Sequence, residues 1–453
     1  MRYLSTVLGG PTGRYARLTS SPNAALVAMA LVTTTAMLVG LWQKSPCYAM
    51  GWNRDAGDFI YMHTCYSDIA LLYRERGFDL GNIPYLDTGN YPVLEYPVLT
   101  GAVMQATAML ARLFSNGDAV AVSKAFFDVN VVVLGIAALV VGWCLALLAG
   151  RRRWDVLIFA AAPVLVLSGT INWDLVAVAL ATAAMLAWAR RHPVLAGVLL
   201  GLGAATKFYP MLLIGPLFVL AARAGALRSW LRLVAGAAVA WLAVNLPVMI
   251  AAPQQWSAFF GFNDARGADF GSPWLALQQM GLRMPGLNTV SLGLFALACV
   301  GIASLGWLAP RRPRLPQLAF LTVAAFLLVN KVYSPQYVLW LLPLAVLAHP
   351  KVRDLLIWQA AEVFYWLMVW MYLAGLTDGH SVGGWYGFAI GVRLAGTVWL
   401  GVLVVRECWH PERDPVRAVG LVDDPAGGEL DLAADADWIH RLTDRTRLER
   451  AGG

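Results

Sequence analysis

Residues 194–222 read VLAGVLLGLGAATKFYPMLLIGPLFVLAA. Two apolar runs, 194–206 and 208–222, meet at Lys207-Phe208-Tyr209-Pro210. A membrane-crossing helix needs about 20 mostly apolar residues, and each run falls short of that. Short segments interrupted by a charge and a proline line cavities whose irregular backbone is shielded from lipid. Gly197, Gly201 and Gly203 are spaced for close packing of the first run against a neighbouring helix. Taken alone, Lys207 also fits a side chain that snorkels to the membrane interface.

The rest of the chain agrees with a membrane setting. Of 453 residues, 59% are hydrophobic and 13% charged, with mean hydropathy +0.61. A soluble domain is about 45–50% apolar and about 25% charged. A water-soluble enzyme, a disordered chain and a disulfide scaffold are thereby excluded. The net charge of +7 is the kind that orients helices in a bilayer. No basic stripe interleaves with base-stacking aromatics, so no nucleic-acid partner is expected. Cys47, Cys65, Cys144, Cys299 and Cys408 form no CxxC pair, and no metal site is expected. Cys47 and Cys65 share one loop, where a disulfide and two free thiols read alike.

Apolar stretches occur at 24–42, 97–114, 126–149, 155–171, 174–189, 194–206, 208–222, 230–251, 288–309, 316–330, 336–348, 354–375 and 385–405. Basic breaks fall at Arg151-Arg152-Arg153, Arg190-Arg191, Arg223 to Arg232, Arg311 to Arg314 and Lys351 to Arg353. Such breaks belong on the cytoplasmic side, and from residue 126 onward the alternation holds. With Arg14 and Arg17 also inside, it holds throughout only if 97–114 does not fully cross. The expectation is an all-α polytopic membrane protein of about 12 transmembrane helices, with both termini cytoplasmic. Thirteen spans with an outer N-terminus is the alternative. Residues 1–23 form the N-terminus and 24–405 the transmembrane domain, with outer loops 44–96 and 252–287. The tail, 406–453, is polar and carries Pro411, Pro415 and Pro425; its composition predicts partial disorder.

Chemistry-bearing residues gather on the outer side. The first outer loop holds Asp55, Asp58, Asp68, Glu75, Asp79, Asp87 and Glu95. Later outer breaks add Asn172 and Asp174, Lys207, then Asp264, Arg266 and Asp269, and finally Lys331, Tyr333 and Gln336. Ionisable groups at membrane depth are costly and point to function. Asn172 and Asp174 also read as a helix cap and an acid in a first turn. A carboxylate and a cation in one outward cavity suit group transfer from a lipid phosphate: the carboxylate takes a proton from an acceptor hydroxyl, and the cation stabilises the departing phosphate. The same cavity fits a transporter or lipid flippase, although no inverted repeat is visible.

Several segments carry a family resemblance. They are Cys65-Tyr66-Ser67-Asp68-Ile69 with Tyr73, Glu95-Tyr96-Pro97, Thr170-Ile171-Asn172, Thr206-Lys207-Phe208-Tyr209-Pro210, and Ser334-Pro335-Gln336-Tyr337 with Trp340. In these the chain resembles GT-C-fold glycosyltransferases, especially glycosyltransferase family 87, which includes polyprenyl-phosphate-mannose-dependent mannosyltransferases. The resemblance implies a GT-C-like bundle in the plasma membrane. It implies Asp68 as catalytic base and Lys207 in the donor-phosphate site; the convergence of polar residues on the outer side adds Arg266, Lys331, Glu95, Asn172, Asp174, Tyr333 and Gln336 as binding candidates. The resemblance further implies a polyprenyl-phosphate sugar donor, most often mannose, a glycolipid or glycan acceptor, inversion at the anomeric carbon, and no cofactor. Some relatives carry His in the Ser-Pro segment; Gln336 stands there in this chain and does not titrate.

Overall fold

The interrupted run folds as two helices, Pro193–Thr206 and Tyr209–Arg223. Pro193 opens the first, where its missing N–H is no loss. The helix stops at Lys207, whose backbone is extended, and Pro210 bars continuation three residues on. This computed structural model describes residues 22–52, 58–86, 91–115, 118–377, 384–419 and 423–441. Arg14, Arg17, Asp55 and Asp87 lie outside the described residues.

The glycines of the first run press on the Leu227–Ala251 helix. A methyl at Gly197 or Gly201 would fall inside the carbonyl oxygens of Leu233 or Ala237, and Gly236 meets the Val194 carbonyl from the other side. Without an outward hydrophobic driving force, such backbone approach is how membrane helices associate. Gly197→Leu is therefore expected to destabilise the protein by about 1–3 kcal/mol through overpacking, read as a lower thermal midpoint in detergent.

Among the described residues every regular element is helical. Six helices are long and apolar enough to cross a membrane: Asn23–Gln43, Ala119–Leu148, Leu227–Ala251, Leu287–Leu308, Val352–Leu373 and Trp385–Trp409. Shorter apolar helices are Val98–Phe114, Asp174–Ala189, Pro193–Thr206, Tyr209–Arg223, Leu315–Val329 and Pro335–Ala348. The stretch 155–171, expected as one span, is instead split into Val156–Ala160 and Pro163–Ser168, because Pro163 starts a new helix. The short helices pair into hairpins whose tips, near Asn172, Lys207 and Tyr333, carry polar side chains.

The Val98–Phe114 helix is tied to the first loop near both of its ends. Near its start, Tyr85 donates to the carbonyls of Tyr96 and Pro97 at 2.8 and 3.0 Å. Near its end, Arg112 donates to the Phe78 carbonyl at 2.5 Å. One short loop segment thus holds both ends. Val98, Gly101, Met104, Ala108 and Ala111 form its buried stripe, and Thr100 donates to the Thr206 carbonyl at 2.5 Å.

The first loop is bolted to the end of the first long helix. Gln43 donates to the Thr64 carbonyl at 2.7 Å and Lys44 to that of Tyr66 at 2.8 Å. Cys47 and Cys65, left open by the sequence, are disulfide-bonded.

At the opposite, arginine-bearing end the described part of the tail is packed, not free. Arg314 pairs with Asp414 at 2.7 Å with both side chains buried, Arg223 with Asp435 at 2.7 Å, and Trp188 donates to the Gly427 carbonyl at 3.0 Å. A polar composition predicted partial disorder; the acids responsible for that reading are the counter-charges of the basic breaks.

Candidate active site

Asp68 opens the helix Asp68–Glu75, which docks on the 170–172 tip. The Asp68 N–H donates to the Ile171 carbonyl at 2.9 Å, and the Ser67 hydroxyl to that of Thr170 at 2.8 Å. These bonds fix the carboxylate relative to the hairpin. Tyr66 donates its hydroxyl to Asp68 Oδ1 at 2.6 Å. Asn172 Nδ2 donates to Asp68 Oδ2 at 2.7 Å and to the Tyr96 hydroxyl, also at 2.7 Å. The Tyr96 hydroxyl in turn lies 3.5 Å from Asp68 Oδ2. Asn172 is not the helix cap: Trp173 holds that position, and the Asn172 amide is committed to Asp68 and Tyr96.

Two residues on, Asp174 is fully buried and accepts from Trp340 Nε1 at 2.6 Å and from Lys207 Nζ at 3.2 Å. The Lys207 ammonium also stands 5.0 Å from the Tyr96 ring centre and 5.8 Å from that of Tyr337. Tyr337 stacks on Trp340, and Trp340 on Tyr209. Lys207 spends one of its three donors on Asp174, leaving donors for an anionic ligand. Asp68, Tyr66, Tyr96 and Lys207 stay partly accessible, whereas Asn172 and Asp174 behind them are buried. The site has an open reactive layer on a rigid polar backing.

Its electrostatics favour a base at the front. Burial pushes Asp68 above the usual carboxylate range; the hydrogen bonds from Tyr66 and Asn172 and the charge of Lys207 pull it down, and Asp174 pushes it up. A carboxylate with raised proton affinity is a stronger general base.

The structure brings together Asp68, Asn172, Asp174 and Lys207, and it adds Tyr66, Tyr96 and Trp340. It places the other candidates elsewhere. Glu95 is held by Arg76 in a fork with contacts of 2.6 Å. Arg266 pairs with Asp269 at 2.6 Å. Lys331 donates to Asn288 Oδ1 and to the Asp264 carbonyl. Tyr333 donates to Glu362 at 2.8 Å, with the Arg393 guanidinium 3.7 Å above its ring. Gln336 is buried beside Tyr337. The second outer loop is laced to this last group by Asp269 N–H to the Lys331 carbonyl and Tyr333 N–H to that of Phe270, both at 2.9 Å. Among the described residues, no group of His, Cys, Asp and Glu side chains is arranged to hold a metal.

The sequence profile of glycosyltransferase family 87 matches residues 96–335, just over half of the chain. The chain belongs to glycosyltransferase family 87. It is a membrane glycosyltransferase. In this family 87 chain the matched region contains Tyr96, Asn172, Asp174 and Lys207; Asp68 lies before it and is tied to it by the contacts above. No curated protein matches the chain. A solved structure, "Crystal Structure of ArnT from Cupriavidus metallidurans bound to Undecaprenyl phosphate", resembles it with TM-score 0.42 and 14% identity, over 82% of this chain and 78% of that one; so remote a likeness carries no argument about substrate.

Proposed function

We propose that this family 87 member transfers a sugar, mannose by the motif resemblance, from a polyprenyl-phosphate donor to a glycolipid or glycan acceptor of the cell envelope. The observation that carries this reading is the shared site of Asp68 and Lys207, joined through Tyr96, Asn172 and Asp174. The site faces the extracytoplasmic side of the plasma membrane, with the basic breaks and both termini in the cytoplasm, in keeping with the positive-inside rule. The acceptor O–H gives its proton to Asp68 as its oxygen bonds to the anomeric carbon. The bond from that carbon to the phosphate oxygen breaks, and the lipid phosphate leaves with the electron pair and one further negative charge. Lys207 offsets that charge. Attack opposite the leaving group inverts the anomeric centre. Asn172 and Tyr96 hold the base in register. The reaction as drawn needs no metal or cofactor.

The test is transfer from a radiolabelled polyprenyl-phosphate sugar by the protein reconstituted in vesicles. Absence of transfer with every hexose donor tried would overturn the reading. Lys207→Met keeps the length of the side chain and removes its charge. It is expected to weaken the donor by about tenfold to hundredfold, the value of a charged hydrogen bond, seen as a raised donor KM with a lower kcat. An unchanged donor KM would remove Lys207 from the phosphate site.

A further inference from the structure

Lys44 is a buried lysine beside the first loop. It follows the first long helix directly and is wholly inaccessible. Among the described residues its ammonium donates to a neutral acceptor, the Tyr66 carbonyl at 2.8 Å. An ammonium taken from water with one neutral partner is expensive unless a counter-charge stands near. A lysine that only anchored the helix end would reach water, since its stem is long enough to snorkel. The negative group coupled to it is Asp68, two residues beyond the residue whose carbonyl it holds.

The surroundings explain why the ammonium stays in place. Gln43 holds the Thr64 carbonyl, the Cys47–Cys65 disulfide closes the turn, and Trp52 Nε1 reaches the Cys65 carbonyl at 3.4 Å. These contacts hold the turn at residues 64 and 65, and Lys44 holds it at Tyr66. On its far side Tyr66 gives its hydroxyl to Asp68. Tyr66 thus links the two groups, its carbonyl on the lysine and its hydroxyl on the carboxylate.

We propose that Lys44 is a positioning residue of the catalytic centre: by holding the Tyr66 carbonyl it fixes the Tyr66–Asp68 turn and so keeps the Tyr66 hydroxyl on the Asp68 carboxylate. The inference rests on Asp68 being the base. The charged and titratable groups facing Asp68 are Tyr66 from its own turn, Tyr96 from the start of the Val98–Phe114 helix, Asp174 and Lys207 from the hairpin tips, and Lys44 from the first helix end. Burial pulls Lys44 down to about 7, with the Asp68 charge opposing.

The experiment compares wild type with Lys44→Met, which loses charge and donor, and Lys44→Arg, which keeps the charge. The Asp68 carboxyl is titrated by infrared difference spectroscopy, with its band assigned by subtraction of Asp68→Asn, and kcat/KM is followed against pH. In Lys44→Met the Asp68 band is expected to titrate at higher pH. On the acid limb kcat/KM is expected to fall several-fold, because a carboxylate that loses the Tyr66 hydrogen bond is raised. The gap closes once Asp68 is ionised in both proteins, and Lys44→Arg, which keeps a donor for the Tyr66 carbonyl, restores most of the difference. An unmoved carboxyl band in a variant that melts normally overturns the proposal, whatever the activity. A moved band in a protein that transfers no sugar keeps Lys44 in its role and removes the transferase reading instead.

Discussion

Asp68→Asn is expected to lower kcat by about 10^2 to 10^4-fold, the range for removing a general base, while donor KM stays near wild type. The substitution is nearly isosteric, and its surroundings tolerate it. The new side-chain oxygen can still accept from Asn172 Nδ2, which now stands 2.7 Å from Asp68 Oδ2. The new amide turns toward Tyr66, whose hydroxyl rotates from donor to acceptor. Geometry is kept and only the proton acceptor is lost. In the wild type the acid limb of kcat/KM is expected above the ordinary carboxylate range, because burial raises Asp68: activity grows as pH rises through that midpoint and the carboxylate ionises. Steady-state kinetics against pH read both effects. A folded Asp68→Asn protein with wild-type kcat would remove Asp68 as base.

That Asn172, Asp174 and Lys207 share one side was legible because each interrupts or borders an apolar run between basic breaks, whereas Asp68 is one of seven acids in the first outer loop and was singled out by the family resemblance. The same alternation, one span too many for the arginines, led to the expectation that 97–114 does not fully cross; a 17-residue helix forms there. What pairs with what was not legible. Glu95 reads as one more acid of the loop, and its fork with Arg76 arises only when the 91–97 segment folds back over the loop helix. Lys44 reads as a flanking anchor of the first span, because a sequence does not show that a loop will cover it. Its one signal is a lone lysine at the outer end of a span whose basic residues should lie at the other end. Tyr96 reads as the prelude to Pro97, although its ring and hydroxyl stand between Asp68 and Lys207. The packing of the tail's described part was not legible for a related reason. Composition counts acids as solvated, whereas Asp414, Asp424 and Asp435 are opposite arginines or helix-start amides that appear only in three dimensions.

Removing one half of that inner clamp is expected to be costly. In Arg314→Met the protein should lose about 3–5 kcal/mol, the effect of leaving a buried charge unpaired. Arg314 Nε and Nη2 hold Asp414 at 2.7 and 3.1 Å, and its Nη1 and Nη2 cap the Leu347 and Ala348 carbonyls at 2.8 and 2.7 Å. Without the guanidinium, Asp414 keeps Gln317 Nε2 at 3.3 Å, the Val416 N–H at 3.0 Å and the more distant Arg417 Nε at 4.0 Å, and two carbonyls at a helix end lose their donors. Arg314→Met with Asp414→Leu should recover much of the loss, since a buried ion pair replaced as a whole by apolar side chains is often near neutral. Burial alone would raise Asp414, yet the Arg314 charge and hydrogen bonds hold it below the ordinary carboxylate range. The sign follows: a depressed carboxylate contributes its full stability above its unfolded value of 3.8 and loses it as pH falls through the lower folded value. The tail should therefore stay docked at neutral pH and loosen only in strong acid. Thermal melts in detergent, with protease cleavage after residue 409 as a second readout, check all three statements. An Arg314→Met protein that melts with the wild type, its tail equally protected, would show that the clamp contributes nothing to the fold.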